Sequence, residues 1–128
     1  VTDLAGFPDL ETAIRTALAD LVTDLAHTGT VTPADLQQRL PFIRVRRFGG
    51  TDDRLTDQAR VDVDYFAASR AAAWAGAEAV RQRLISRPLR VGAVVIDQVT
   101  TTTAPIEVPW DDPNVRRVTA AYTASARR

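Results

Sequence analysis

The sequence predicts an α+β domain: a mostly antiparallel sheet of four to five strands, two main helices on one face, and the order α-β-β-α-β-β. Three observations predict it. Apolar residues recur at helical spacing from Pro8 to about His27 and again from Ala67 to Ile85. Strict two-residue alternation runs through Asp57–Phe66 and Val115–Ala126. Turn-forming pairs, Gly49-Gly50 and Asp112-Pro113, punctuate the extended stretches. With 128 residues the chain has the length of one domain spanning 1–128, able to bury a real core and too short to divide.

Each element follows from its residues. In the first helix Leu10, Ile14, Ala17, Leu18, Leu21 and Leu25 share a face opposite Thr12, Thr16, Asp20 and Thr23, and Gly29 supplies a stop. Thr32-Pro33-Ala34-Asp35 marks the start of one short helical turn. Phe42–Phe48 reads as a strand closed by Gly49-Gly50 and a polar loop, Thr51–Arg54, expected to be the mobile tip of a hairpin. In the returning strand Ala59, Val61, Val63 and Tyr65 point one way, and Arg60, Asp62 and Asp64 the other.

The second helix presents Ser69, Ala73, Gly76, Ala77, Val80 and Leu84 as a small-residue face that fits close to a sheet, with Trp74 pointing away among Arg70, Glu78 and Arg81. Pro88 ends it. Val91–Thr100 is a β-branched strand, Ile106–Trp110 a short extended piece, and Val115–Ala126 the last strand, with Val118, Ala120, Tyr122 and Ala124 on one side.

Composition narrows the function. Sixteen basic and sixteen acidic residues balance, so net charge gives no footprint for nucleic acid. Every basic residue is Arg, as a GC-rich coding sequence would give, and Arg forks also suit ion pairs across interfaces. No apolar run reaches the ~20 residues of a membrane helix, and no signal-peptide pattern opens the chain. The chain begins at Val1 rather than Met, as processing or trimming would leave it. No cysteine is present, which excludes a Cys nucleophile, thiolate metal sites and disulfides.

Catalytic constellations are weak. His27, the single histidine, stands at a helix end and reads as a cap. Ser69, Ser86 and Ser125 lie outside any nucleophile elbow. Asp62 and Asp64, on one face of a strand near Asp52 and Asp53, are the best candidates for a divalent cation and a small metal-dependent nuclease. Arg44 and Arg46 share a strand face, with Arg47 beside them, and are the best candidates for phosphate contacts in a nucleic-acid-binding module. No aromatic residues interleave with them, and cross-strand Arg–Asp pairing accounts for both sets more economically.

One ordered combination is distinctive. Pro41-Phe42-Ile43-Arg44-Val45 leads to Gly49-Gly50 and Asp57, and Val61-Asp62-Val63-Asp64-Tyr65-Phe66-Ala67 runs into an Ala-rich helix. Val108-Pro109-Trp110-Asp111-Asp112-Pro113 and then Val115-Arg116-Arg117-Val118-Thr119-Ala120-Ala121-Tyr122 follow. Together they resemble the tail terminator (tail completion) proteins of siphophages infecting actinobacteria, from about Pro41 to the C-terminus. The resemblance implies a structural virion protein of the tail neck, assembled in the host cytoplasm. Such a protein forms a ring, usually a homohexamer, that caps the tail tube protein, ends tube polymerisation and docks the head–tail connector or stopper. It implies no enzyme, no cofactor and no membrane, with DNA passing through the lumen without specific binding. The same-class alternative is another neck protein such as the connector stopper.

Family members carry no active site to transfer, so the functional residues come from physical reasoning. Helices covering one sheet face leave the other polar: Arg44, Arg46, Arg60, Asp62, Asp64 and Arg117 are the expected inter-subunit or lumen residues. On that reading Arg44→Glu or Asp64→Arg impairs ring formation more than monomer folding. Trp74, Trp110, Asp52, Asp53 and Arg54 are the expected partner contacts, because Trp anchors dominate interfaces and the loop is free to reach a neighbour.

Overall fold

The computed structural model describes residues 6–127. The elements are α1 (Leu10–Leu18), β1 (Thr28–Gly29), β2 (Phe42–Asp52), β3 (Thr56–Ala67), α2 (Arg70–Ile85), β4 (Leu89–Val91), β5 (Val94–Val108) and β6 (Arg116–Arg127). The strands form one sheet in the order β1-β2-β3-β6-β5-β4. The fold is α+β as expected, but the sheet has six strands and is mixed, because β1 runs parallel to β2.

Helix α1 starts where Asp9 caps it: its carboxylate accepts from the Thr12 backbone N–H at 3.2 Å. That bond, together with the Thr12 hydroxyl, holds the Asp9 carboxyl below its ordinary value. The helix stops at Leu18, well short of His27. The Ala17 carbonyl, which a continuing helix would spend on residue 21, accepts from the Arg83 guanidinium at 2.8 Å. Arg15 then ties the returning chain through the Thr28 hydroxyl and carbonyl, both at 3.2 Å. The apolar spacing beyond Leu18 therefore describes 3-10 turns, and Leu25 is left exposed. His27 is no helix cap; its Nδ1–H donates to the Arg39 carbonyl at 2.9 Å.

Strand β2 does not end at Phe48. It runs through Gly49-Gly50 to Asp52, with a bulge between Arg47 and Gly50. Gly50 is required there: its φ is +129°, and a Cβ would lie 2.0 Å from the Gln58 carbonyl oxygen. The expected mobile loop is a closed turn. Asp53 accepts from the backbone N–H groups of Leu55 and Thr56 at 2.8 and 2.7 Å, which lower its carboxyl pKa.

Strand β5 likewise joins what sequence divided. The turn at Gly92, φ +59°, makes β4 and β5 a tight hairpin, and bulges carry β5 past Pro105 to Val108. Pro105 is tolerated because β4 pairs only Val94–Ile96, and among the described residues no other strand lies on that side of β5 to need its missing donor.

The main core lies between the helices and one sheet face: Leu10, Ile14, Leu18, Ile43, Val45, Val61, Val63, Val80, Leu84, Val118 and Tyr122. The curled sheet brings both β2 and β4 to α1. Helix α2, capped by Ser69, buries Ala73, Ala77, Val80 and Leu84, as its small-residue face predicted. Trp74 does not point away. It is half-buried against this core, with the Arg70 guanidinium 5.7 Å from its ring.

Candidate functional site

The face opposite the helices is built by register. Phe42 pairs with Phe66 and Phe66 with Arg117; Arg44 with Asp64 and Asp64 with Thr119; Arg46 with Asp62 and Asp62 with Ala121. Alternation thus gathers all six predicted residues, Arg60 included, onto one surface. The surface is not uniform.

At one end it is sealed beneath its own chain. Leu36, Phe42, Phe66 and Val115 form a second small core, with Leu40 and Trp110 packed against it. Trp110 meets Phe66 edge-on at 5.0 Å, and the Arg117 guanidinium lies 5.1 Å from the indole. Next to this plug, Arg44 donates to Asp64 Oδ2 at 2.8 and 2.6 Å and to the Thr32 hydroxyl at 2.6 Å. The side chains of the pair are only 12% and 5% exposed. The pairing expected across the strands is present, but this pair is internal rather than open to a neighbour. The arginines are also interleaved with aromatics, contrary to expectation: Arg44 stands 5.6 Å from the Phe66 ring and Arg60 4.9 Å from Phe48. Neighbouring strands supply those contacts, so the local sequence around Arg44 does not carry them.

At the other end the face is open. Arg46 and Arg60 are exposed and Asp62 half-buried there, while Arg117 is half-buried at the plugged end, opposite Phe66. Thr102 and Thr123 share a hydroxyl hydrogen bond of 2.7 Å beside them. Burial first, and the Asp64 charge second, push the Asp62 carboxyl above its ordinary value; Arg46, Arg44 and Arg60 pull the other way. A raised folded-state pKa means that stability from this group is present below the unfolded value of 3.8 and is lost as pH rises through the folded one. Asp62→Asn is therefore expected to leave the protomer equally or slightly more stable at about pH 7, with the difference vanishing toward acid. Melting curves at neutral and acid pH check this; a neutral-pH loss for the Asn variant contradicts it.

The remaining predicted contacts divide. Asp52, Asp53 and Arg54 are exposed at the β2–β3 turn. Trp110 lines a cleft of about 510 Å³ with Glu107, Val108, Pro109, Asp112 and Pro113. The sequence reading missed the Arg47–Asp57 pair, two-pronged at 2.5 and 2.7 Å with Asp57 2% exposed, on the helix side of the hairpin. Its signal was legible, because Asp57 has the parity of the buried Ala59 and Val61. Among the described residues no three acidic or histidine side chains group as a metal site, and Asp64 is committed to Arg44.

Comparison with known proteins completes the picture. A chain of a solved structure titled "Virion of native gene transfer agent (GTA) particle" has a similar fold, with a TM-score of 0.63 at 16% identity over 93% of this chain and 95% of that one. Comparison with curated protein sequences gave no match. The sequence matches the family described as phage tail termination protein over residues 6–127. With every described residue inside that match, the chain belongs to the phage tail termination protein family.

Proposed function

We propose that this protein is a structural component of the virion at the tail neck, assembled in the host cytoplasm. Copies close into a homohexameric ring on the last ring of tail tube protein, end tube polymerisation and offer the docking surface for the head–tail connector or stopper. The reading rests on family membership, and one structural observation supports it most: a sheet whose second face is polar, charge-mixed and open at one end. Arg46, Arg60 and Asp62 supply the inter-subunit or lumen surface, Arg117 borders it at the plugged end, and Arg44–Asp64 holds that face together from within. Arginines balanced by aspartates grip passing DNA weakly, where a bare arginine face would retain phosphates. The turn residues Asp52, Asp53 and Arg54, together with Trp110 in its cleft, are the contacts to axial partners, and Trp74 serves packing. The role needs no catalysis, cofactor or membrane.

Negative-stain microscopy of the purified protein, alone and with polymerising tube protein, tests this. Rings with a central hole and tubes arrested with one capped end are expected. Monomers that leave tube growth unchanged would refute it, and divalent-dependent DNA cleavage lost in Asp62→Asn would point to a nuclease instead.

A further inference from the structure

Beyond the short outer strands β1 and β4, two stretches of backbone edge have no partner strand among the described residues. On the β2 side, β1 pairs only with Ile43 and Arg44, and the Glu11 carboxylate accepts the Arg47 backbone N–H at 2.9 Å. Among the described residues no strand lies outside β2 from Phe48 to Asp52, and the only side-chain bond to its backbone there is from Arg47 to the Gly49 carbonyl. On the other side, β4 covers only Val94–Ile96 of β5. Among the described residues no side chain bonds a backbone group of Gln98–Ala104, a stretch with β-branched residues from Val99 to Thr103 and no charge. Unpaired backbone donors and acceptors of this kind template another strand, and the β5 stretch carries no charge that would discourage one.

We infer that the outer edge of β5, Gln98–Ala104, pairs antiparallel with the outer edge of β2, Phe48–Asp52, in a second copy of this chain. The direction follows from strand parity. β2, β3, β6 and β5 are successively antiparallel, so β5 runs opposite to β2. Copies related by rotation about an axis running along the strands keep their strand directions, so the next β2 meets β5 antiparallel and the sheet continues across the seam. The join is heterologous, satisfies both free edges at once, and closes when the rotation closes. A twofold β5–β5 join would instead leave every β2 edge unpaired and stop at a dimer. Pro105, which lacks a donor, bounds the seam on one strand, and the Asp53 turn bounds it on the other. Phe48 and Leu55, exposed at 45% and 62%, flank the β2 edge and gain apolar cover from the neighbour.

The proposal rests on the ring reading for closure only, and two measurements separate them. The chain has no cysteine, so paired cysteines report cleanly. Phe48→Cys combined with Thr103→Cys is expected to give on oxidation a ladder of linked oligomers ending at the ring size. Each single variant should give none; dimers from Thr101→Cys alone, at the residue that would face itself in the twofold β5–β5 join, would overturn the proposal. On the unmodified chain, amide exchange across Gln98–Ala104 is expected to slow at least about tenfold between dilute monomer and assembled protein. Rings seen by microscopy with no ladder and unchanged exchange would overturn the seam and leave the ring standing. A chain that stays monomeric at every concentration would overturn both.

Discussion

Asp64→Ala is expected to destabilise the protomer by about 3–5 kcal/mol, the cost of leaving a buried cation without its partner. Arg44 sits beneath Trp110 and Thr32 with its side chain 12% exposed, and Asp64 is the carboxylate in direct contact with it there. Removing the carboxylate strips two donor contacts at 2.8 and 2.6 Å and strands the guanidinium in the aromatic plug. Replacing both partners by apolar residues of similar volume, Arg44→Met with Asp64→Leu, is expected to recover most of the loss, because the desolvation cost of both charges goes with them. Urea denaturation of the two single variants and the double variant measures this. A single variant within about 0.5 kcal/mol of the parent would show that the pair is not buried as described. The same geometry revises the sequence-based expectation for Arg44→Glu and Asp64→Arg: both should damage folding before they damage assembly.

Gly76→Ala is the second large effect, and its sign opposes helix propensity. In the interior of an exposed helix the change would stabilise by about 1 kcal/mol. Here a Cβ at residue 76 would stand 2.1 Å from two ring carbons of Tyr65, which is itself buried on β3. Helix and sheet must separate or the ring must leave its site, so a net loss of about 1–3 kcal/mol is expected. Combining it with Tyr65→Val should be strongly non-additive, since the smaller residue vacates the space the methyl needs. Thermal melts of the four proteins of this cycle decide it; additive losses would place the strain elsewhere.

These two sites differ in how far the sequence reveals them. The small-residue face of α2 is periodic, so Gly76 reads directly as a close-approach position, although Tyr65 as the residue approached does not. The alternation in β3 and β6 likewise assigns each residue to its face without coordinates. Periodicity failed where it outran the element. Leu21 and Leu25 extend the α1 pattern, yet Arg83, distant in sequence, takes the Ala17 carbonyl and ends the helix. It failed again at Gly49-Gly50, where glycines that signal a turn instead accommodate a bulge in a continuous strand. Trp74 and Trp110 have charged residues close by in sequence, yet both pack against apolar residues that other segments of the chain bring to them.

The sequence by itself determined the α+β class, the faces of its main strands and of α2, and a family resemblance carried by short ordered motifs. All of these are local or periodic properties, fixed by neighbours a few residues away. Only the tertiary structure decided that Arg44 and Asp64 belong to the interior while Arg46, Arg60 and Asp62 stay open, and that β2 and β5 carry unpaired backbone beyond the short strands β1 and β4. The physical reason is that burial and strand order depend on what the chain brings back from far away. The plug over Arg44 comes from residues 32–40 and 108–115, and no alternation within β2 can report a cover supplied by segments outside it.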